Sequence, residues 1–94
     1  QHRAGLVCVI DLSGKLLGVM SDGDIRRAIH EDLDLKKVSV EVLMNDNPVT
    51  LSPCYLVGQA IDAMELGGRK VFSAPVVNGE GVCLGVVTLH DLLS

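Results

Sequence analysis

Aromatic side chains are nearly absent from this chain of 94 residues, in which Tyr55 and Phe72 stand alone and tryptophan is missing. The hydrophobic fraction of 48% is therefore almost entirely aliphatic, and the core must be built of Val, Leu, Ile, Ala and Met. A chain of this length buries roughly two-thirds of the surface that its unfolded form exposes, which is enough for one domain. An aliphatic core is typical of helices packed on a sheet.

An excess of basic residues is also lacking. Eight Lys and Arg residues stand against twelve acidic ones, and the formal net charge is −4. Nucleic-acid binding needs clustered positive charge, so we expect no nucleic acid among the partners. No stretch approaches 18 consecutive apolar residues and no charged leader precedes an apolar run, so we expect no membrane association.

Paired cysteines and metal-ligand clusters are the third absence. Cys8, Cys54 and Cys83 form an odd set without a C-x-x-C pair, which argues against a disulfide framework and a zinc site and favours a reducing compartment, the cytoplasm. The stretch Asp22-Gly23-Asp24 offers too few oxygen ligands for a divalent cation. No nucleophile stands beside a base at usable spacing. We therefore predict no metal and no catalytic residue, so this chain is not itself an enzyme.

The sequence contains one pattern in two copies. Residues Gly18–Ile25 and Gly85–Leu92 match 67 positions apart without a gap. At the same offset Val9-Ile10-Asp11 lies against Val76-Val77-Asn78, and Gly14 lies against Gly81. Self-similarity at a fixed spacing indicates one supersecondary unit used twice. Residues 49–72 have no earlier counterpart, so we expect the chain to begin partway through its first unit.

Hydrophobic periodicity and turn residues predict the elements of both units. Residues 1–31 form a partial first unit, 32–43 a connector and 44–94 a complete second unit. The first unit has strands at 6–10 and 16–20 and a helix over 22–31. The second has a brief strand at 49–51, a helix capped at Ser52-Pro53 and closed by Gly67-Gly68, strands near 71–77 and 82–87, and a helix from Thr88.

Ser21-x-x-Asp24 and Thr88-x-x-Asp91 stand at the two strand-to-helix junctions. Free backbone N–H groups and the positive end of the helix dipole favour an anion there, and a carboxylate can accept hydrogen bonds from the vicinal diol of a ribose. The other interpretation is a capping box, which stabilises each helix by ~1 kcal/mol. The two copies indicate a shared origin but leave both interpretations open.

The pattern Gly-Val-x-Ser/Thr-x-x-Asp-Ile/Leu, with Asn47-Pro48-Val49-Thr50 opening a unit and Ala74-Pro75-Val76-Val77 midway, resembles the cystathionine β-synthase (CBS) domain family. The resemblance implies an α/β fold of tandem β-α-β-β-α motifs, the first truncated, around pseudo-twofold clefts. It also implies a regulatory pair, or Bateman module, that binds adenosine nucleotides or related ligands through Ser21, Asp24, Thr88 and Asp91. We expect Arg26 and His90 to lie near a bound phosphate.

A finer likeness concerns the attached protein. Asp22-Gly23-Asp24-Ile25-Arg26-Arg27-Ala28, with Leu89-His90-Asp91-Leu92-Leu93, is similar to the C-terminal CBS pair of the arabinose-5-phosphate isomerase family, where a sugar isomerase domain precedes the pair. This implies an N-terminal catalytic partner domain, homodimerisation through the CBS pair, and a nucleotide-activated sugar as a second candidate ligand. The alternatives are a purely structural dimerisation module without ligand and the CBS pair of a nucleotidyltransferase.

Overall fold

The computed structural model describes residues 5–65 and 71–93, which form a mixed α/β structure with two two-stranded sheets. The first unit contains strand β1 (Leu6–Ile10), strand β2 (Leu16–Ser21) and helix α1 (Asp22–His30), and the connector carries the short helix α2 (Val40–Leu43). The second unit contains helix α3 (Val57–Glu65), strand β3 (Ser73–Val77), strand β4 (Cys83–Thr88) and helix α4 (Leu89–Leu93). The predicted strands of both hairpins and the helix that follows each are confirmed.

Both units contain the same antiparallel hairpin in the same register. Leu6 lies opposite Ser21 in the β1–β2 ladder, and Ser73 lies opposite Thr88 in the β3–β4 ladder. Each ladder shifts register at one place, just before its last pair of residues. Adding 67 to each residue number of the first ladder reproduces the second. The sequence repeat is therefore a repeat of structure, down to the position of the bulge.

The hairpin turns repeat as well. Asp11 accepts hydrogen bonds from backbone N–H groups two and four residues later, at 2.8 and 3.0 Å, and Asn78 does the same at 2.9 and 3.0 Å. Each turn places a glycine at positive φ, Gly14 at 90° and Gly81 at 85°. A side chain would strain that backbone conformation, which explains why both units carry glycine there.

The two turns are hydrogen-bonded to each other. The Leu16 N–H donates to the Gly81 carbonyl at 2.9 Å, and the Cys83 N–H donates to the Gly14 carbonyl at 3.0 Å. Leu16 corresponds to Cys83 in the repeat, and Gly14 corresponds to Gly81. The two bonds are therefore reciprocal, as expected for two units related by a local twofold axis. We call this reciprocal pair the turn seam.

The three cysteines carry free thiols, with Cys8 and Cys83 half-buried and Cys54 exposed. The pKa of the Cys8 thiol is raised to about 11, first because burial disfavours the thiolate and then because the Cys83 thiol lies beside it. Cys8 therefore stays protonated near neutral pH, and a protonated thiol packs like a small apolar side chain.

Helix α1 begins at the N-cap Ser21 and closes with a left-handed residue. Asp32 has a φ of 62°, and its N–H donates to the Ile29 carbonyl at 3.0 Å while the Leu33 N–H donates to the Ala28 carbonyl at 3.0 Å. These two bonds form a Schellman closure with aspartate where glycine is usual. The chain turns sharply there and enters the connector.

Helix α3 does not begin where the sequence indicated. The Ser52 hydroxyl accepts from the Cys54 N–H at 3.1 Å, which forms a local turn, and the helix starts only at Val57. Its first turn is stabilised instead by the Gln59 side chain, whose Oε1 accepts from the Leu56 N–H at 2.7 Å. The predicted Ser52-Pro53 cap is therefore wrong, and the predicted end at Gly67-Gly68 lies outside the described residues.

The predicted strand at 49–51 is reduced to a single parallel bridge between Leu51 and Val76. Leu51 still enters the core, because it is 3% exposed and its N–H donates to the Pro75 carbonyl at 2.9 Å. Proline has no N–H to donate and is therefore expected on an edge strand. Pro75 lies in β3, whose partner strand among the described residues is β4.

The core is concentrated in the second unit, where its buried members form one cluster: Leu51, Ala60, Met64, Ala74 and Leu89. Helix α1 buries only Ala28, whereas Ile25 is 37% and Ile29 57% exposed. The spacing of Ile25, Ala28 and Ile29 predicts one apolar face on α1. That face is largely uncovered, because the described elements that pack on it, mainly β2 and α2, are small.

The chain just after the connector adds one stretch of backbone to β2. Asn45 and Val19 exchange hydrogen bonds at 2.7 and 2.9 Å, so the chain after α2 runs antiparallel beside β2. Gly18 makes this approach possible, because a Cβ atom there would lie 2.8 Å from both the Asn45 carbonyl oxygen and the Met44 sulfur. At the repeat equivalent, Gly85, no atom of residues 5–65 or 71–93 lies within 4 Å of the same position.

These two glycines give a matched test of the connector contact. We expect Gly18→Ala to destabilise the protein by about 1–3 kcal/mol, because the Asn45 carbonyl is fixed by its bond to Val19. Gly85→Ala should remain within about 0.5 kcal/mol of the parent, because its methyl group meets no neighbour. Urea unfolding of the three proteins measures the difference. Equal losses for both variants would contradict the assigned contact.

Candidate functional site

A cavity of about 650 Å³ lies where β2 meets α1, between the two units. Asn45, Pro48 and Val49, just after the connector, contribute to the lining, and so do Val71, Phe72 and Ser73 around the start of β3. Its polar lining residues are Ser21, Asp22, Asp24, Arg26, Arg27, Asn45 and Ser73. Its apolar lining residues are Leu6, Val19, Pro48, Val49, Val71, Phe72 and Pro75. The volume lies within the ~300–1,000 Å³ usual for small-molecule sites, and polar groups on an apolar wall are typical of them.

Asp24 is the centre of the hydrogen bonds in this cavity. Its Oδ2 accepts from the Ser21 N–H at 2.8 Å and from the Ser21 hydroxyl at 3.1 Å, and its Oδ1 accepts from Arg27 Nη2. The side chain of Asp24 is 14% exposed and that of Arg27 is 61% exposed. The bond from the Ser21 N–H is the carboxylate half of a capping box. The helix-cap interpretation of this doublet is therefore confirmed in the first unit.

The capping bonds do not use every acceptor position of the Asp24 carboxylate. An ionised carboxylate has about four lone-pair positions, and three of those on Asp24 are in use. A ribose diol needs two acceptors, so one diol hydroxyl can take the remaining position and the other must replace either the Ser21 hydroxyl or Arg27. The Ser21 hydroxyl is the easier of the two to displace, because it rotates freely and its bond to Asp24 is longer than the bond from Arg27.

The ionisation of Asp24 follows from the same bonds. Partial burial raises the pKa of this carboxyl group, but the bonds from the Ser21 N–H, Arg27 and the Ser21 hydroxyl together outweigh burial, and the net pKa lies below the ordinary value of 3.8. Asp24 is therefore a carboxylate acceptor at neutral pH, which is the state that a diol donor requires.

The N-terminus of α1 opens into the cavity, and its first turn carries two acids, Asp22 and Asp24. Asp22 accepts from the Gly5 N–H through Oδ2 at 3.3 Å. These acids offset the positive end of the helix dipole, so the dipole alone does not select an anion here. Arg26 and Arg27, one helical turn further on, bring the cationic groups to the cavity.

The structure brings together three of the six predicted site residues. Ser21, Asp24 and Arg26 line one cavity, whereas Thr88 ends β4 and His90 is exposed on α4, outside the lining of that cavity. The side chain of Asp91 lies beyond what the structure describes. The assignment of these residues to a ligand stays a prediction.

Sequence reasoning missed part of the lining. Asn45 reaches the cavity only through its pairing with Val19, a tertiary contact with no local signal. Pro48 and Val49 belong to the Asn-Pro-Val-Thr motif at the start of the second unit, which could have indicated them. Asp22 stood out in the sequence only as part of Asp22-Gly23-Asp24, a stretch with too few oxygen ligands for a divalent cation.

Two further observations concern the part of the chain that the structure describes. No helix within 5–65 or 71–93 has the length and apolar character needed to cross a membrane. Within those ranges no three His, Cys, Asp or Glu side chains are grouped so that they could hold a metal ion.

Solved structures with the same fold include ligand complexes. The chain superposes with a TM-score of 0.78 on CBSX2 in complex with AMP, at 26% identity over 94% of this chain and 67% of that one. It superposes equally well, with a TM-score of 0.78 and 25% identity, on the CBS domain pair of protein MJ0100 in complex with 5′-methylthioadenosine and S-adenosyl-L-methionine, covering 94% and 69% of the two chains. The predicted α/β CBS fold is confirmed.

Curated relatives agree with the fold. The chain is 33% identical over 89 residues to the arabinose 5-phosphate isomerase KdsD of Pseudomonas aeruginosa, and 32% identical over 93 residues to that of Yersinia pestis. These alignments cover 95% and 99% of this chain but 27% of each relative, so the chain spans about a quarter of their length. The CBS domain model itself matches residues 38–94. The chain therefore belongs to the CBS domain family.

Proposed function

We propose that this chain is a regulatory CBS module that binds an adenosine nucleotide or a nucleotide-activated sugar in the cavity beside Asp24 and thereby changes the activity of an attached enzyme. The observation that carries the proposal is the cavity itself. It joins an ionised carboxylate with one free acceptor position to an apolar wall and two arginines. These are the groups needed for a ribose, a base and a phosphate.

The walls suggest how such a ligand would lie. A ribose at Asp24 would share its cavity with the N-terminus of α1 and with the apolar residues Val49 and Pro75. A purine is flat and apolar on both faces, so it fits between aliphatic and proline side chains without a hydrogen-bond partner for each edge. The phosphate would then point toward Arg26 and Arg27.

Related structures support a ligand of this class. CBSX2 is described in complex with AMP, and the MJ0100 pair in complex with 5′-methylthioadenosine and S-adenosyl-L-methionine. All three compounds contain adenosine. The shared fold and about a quarter of identical residues make an adenosine compound the first ligand to test here.

The attached enzyme in our proposal is a sugar-phosphate isomerase. The curated relatives above are arabinose 5-phosphate isomerases, and the chain matches about a quarter of each. The remainder of such a protein would supply the aldose–ketose chemistry, for which the present chain has no predicted catalytic residue. A nucleotide made further along the same route would be a suitable inhibitor or activator.

The exposed apolar side chains support our proposal of homodimerisation through this module. Val7, Ile29, Val42 and Leu84 are each more than half exposed, from 53% to 68%. A second copy of the chain would remove such side chains from water. The three free thiols support a cytoplasmic location, because oxidising compartments favour paired cysteines.

A purely structural role is the second candidate, because the capping box is present. In that case Asp24 stabilises α1 and nothing more. We expect Asp24→Ala to lower the free energy of unfolding by about 1 kcal/mol at pH 7. The native pKa of Asp24 is lowered, so its contribution is complete above about pH 5 and is lost as the pH falls through that lowered value. Urea unfolding between pH 7 and pH 3 should show the two proteins converging.

The control is Asp62→Ala, because Asp62 is exposed on α3 without a hydrogen bond to the described residues. Its effect should be small and should change little over the same pH range. An Asp24→Ala deficit that persists undiminished at pH 3 would contradict the assigned capping interaction.

Binding separates the two roles of Asp24. We expect AMP at a hundredfold excess over its Kd to raise the Tm of the chain by about 10 °C or more, because it binds only the folded state. Asp24→Ala should remove most of this rise. Asp11→Ala is the matched control, since Asp11 accepts comparable bonds in the first turn but lies outside the cavity. It should lower the starting Tm and keep the full rise with AMP.

A chain whose Tm is unmoved by AMP, ATP, S-adenosylmethionine and nucleotide-activated sugars would leave only the structural role. A rise that Asp24→Ala does not diminish would place the ligand elsewhere.

Regulation is tested in a protein that carries this module with its isomerase domain. We expect added AMP to change the aldose–ketose turnover, and we expect Asp24→Ala together with Asp91→Ala to abolish that response. The measurement is the initial rate at several nucleotide concentrations. A rate that is independent of nucleotide in the unaltered protein, although AMP binds, would contradict a regulatory role.

A further inference from the structure

The two hairpin turns hold their backbone in the same way with different residues. Residues 11–14 of the first turn are Asp-Leu-Ser-Gly, and residues 78–81 of the second are Asn-Gly-Glu-Gly. The Asp11 carboxylate and the Asn78 amide oxygen each accept from two backbone N–H groups, at 2.8 to 3.0 Å. The second turn therefore has an amide followed by a glycine where the first has an acid followed by a leucine.

Gly79 is not required by the backbone of its turn. The glycine at positive φ is Gly81, whereas Gly79 lies outside the left-handed region. A Cβ atom at Gly79 would meet no atom of residues 5–65 or 71–93 within 4 Å, and the equivalent residue of the first turn, Leu12, has a fully exposed side chain. The conformation of the turn therefore does not explain the Asn-Gly pair.

An asparagine followed by glycine can lose its amide nitrogen without an enzyme. Solvent base removes the proton of the Gly79 N–H, the backbone nitrogen attacks Asn78 Cγ, the Cγ–Nδ2 bond breaks, and ammonia leaves a closed succinimide ring. Water then adds to the Cγ carbonyl, the bond from Cγ to the Gly79 nitrogen breaks, and that nitrogen recovers its proton. The sum is asparagine plus water giving aspartate plus ammonia. Glycine favours the attack because it has no Cβ atom in the way.

The surroundings of Asn78 and Gly79 permit each part of this reaction. Gly79 is exposed, and its N–H donates to no acceptor within the described residues. The Asn78 Nδ2 group, which becomes the leaving ammonia, also donates to none of them. The Asn78 Oδ1 accepts from the Glu80 and Val82 N–H groups at 2.9 and 3.0 Å. These two donors stabilise the negative charge that develops on Oδ1 when Cγ is attacked.

The first turn shows that an acid fits this position. Asp11 accepts from the N–H groups two and four residues later, as Asn78 does, so an aspartate at position 78 would recover the same two bonds. An isoaspartate, formed when water adds to the backbone carbonyl of the ring instead, would insert a methylene group into the backbone of the turn. Gly81 in that turn accepts from the Leu16 N–H in the turn seam. The fold therefore accommodates one product and not the other.

We propose that Asn78 is a site of spontaneous deamidation, and that the turn selects aspartate as the product, which gives the second turn the same acid as the first. The modification adds one negative charge to a chain whose formal net charge is −4. Asn78 and Gly79 lie outside the lining of the cavity. The inference therefore goes beyond the proposed function and does not depend on it.

The test incubates the 94-residue chain in mildly alkaline buffer and maps its peptides by mass spectrometry. We expect Asn78 to be converted at least about 10-fold faster than Asn45, which is followed by Asp46 instead of glycine. Asn47 should stay unconverted, because Pro48 has no N–H to lose. Fragmentation that distinguishes aspartate from isoaspartate should find mainly aspartate in the folded chain and more isoaspartate in a chain unfolded by urea.

Variants of the second turn separate the chemistry from the fold. Gly79→Leu copies the first turn and should slow the conversion of Asn78 at least about 10-fold, because the side chain hinders the attack. Glu80→Ser also copies the first turn but keeps the glycine, so the rate should stay within about 2-fold of the parent. Asn78→Asp, which is the product itself, should keep the Tm within about 2 °C of the parent. Circular dichroism checks that each variant is folded.

Conversion of Asn78 no faster than that of Asn45, a Gly79→Leu variant that reacts at the rate of the parent, or isoaspartate as the main product of the folded chain would each overturn this inference. An Asn78→Asp variant that does not fold would also overturn it, since the product would then not fit the turn. The proposed function would stand in all four cases, because the reacting residues lie outside the cavity.

Discussion

The turn seam is the interaction on which the arrangement of the two units depends. Each unit has a two-stranded sheet in the part of the chain that the structure describes, and a lone hairpin is marginally stable in water. The reciprocal bonds between Leu16 and Gly81 and between Cys83 and Gly14 join the two hairpins at their turns. They form only because both turns have the same length and the same glycine at positive φ. The cavity beside Asp24 follows from this pairing, because its two walls come from the units that the seam holds together.

In our proposal, one carboxylate in the cavity serves two purposes that are usually treated as alternatives. Asp24 stabilises the start of α1 through Ser21 and still has an acceptor position for a ligand. The cap fixes the direction of the carboxylate before a ligand arrives, so less conformational entropy is lost on binding. A helix cap and a binding group are therefore compatible in the same residue. The ligand would have to compete for the Ser21 hydroxyl, which links its affinity to the stability of the helix.

The sequence predicted the repeated parts of this protein well. Two hairpins, their turns and the helices after them appear in two copies, so an error in one copy would have conflicted with the other, and Gly14 and Gly81 marked both turns. The single-copy parts were less predictable. Ser52-Pro53 has the composition of a helix start, yet the Ser52 hydroxyl satisfies a nearer N–H group and the helix begins four residues later. The approach of Asn45 to Val19 is a tertiary contact, which local propensity does not contain.

The same limit applies to burial. The spacing of Ile25, Ala28 and Ile29 placed all three on one apolar face, but only Ala28 is buried. Periodicity reports which residues share a face and says nothing about whether anything covers it. The ion pair between Arg27 and Asp24 follows directly from helical spacing of three residues. Its position at a cavity depended on the second unit and could not be read from α1 alone.

The contact of Asn45 with β2 has a consequence for how this module evolves. Segments that join two repeats usually vary freely in length, since a longer loop costs little stability. Here the chain just after the connector is bonded to Val19, and both Asn45 and Val19 line the cavity. In our proposal the segment that joins the two units therefore also contacts the ligand. We then expect insertions to accumulate near the exposed middle of the connector, while the residues from α2 to Asn45 keep their spacing.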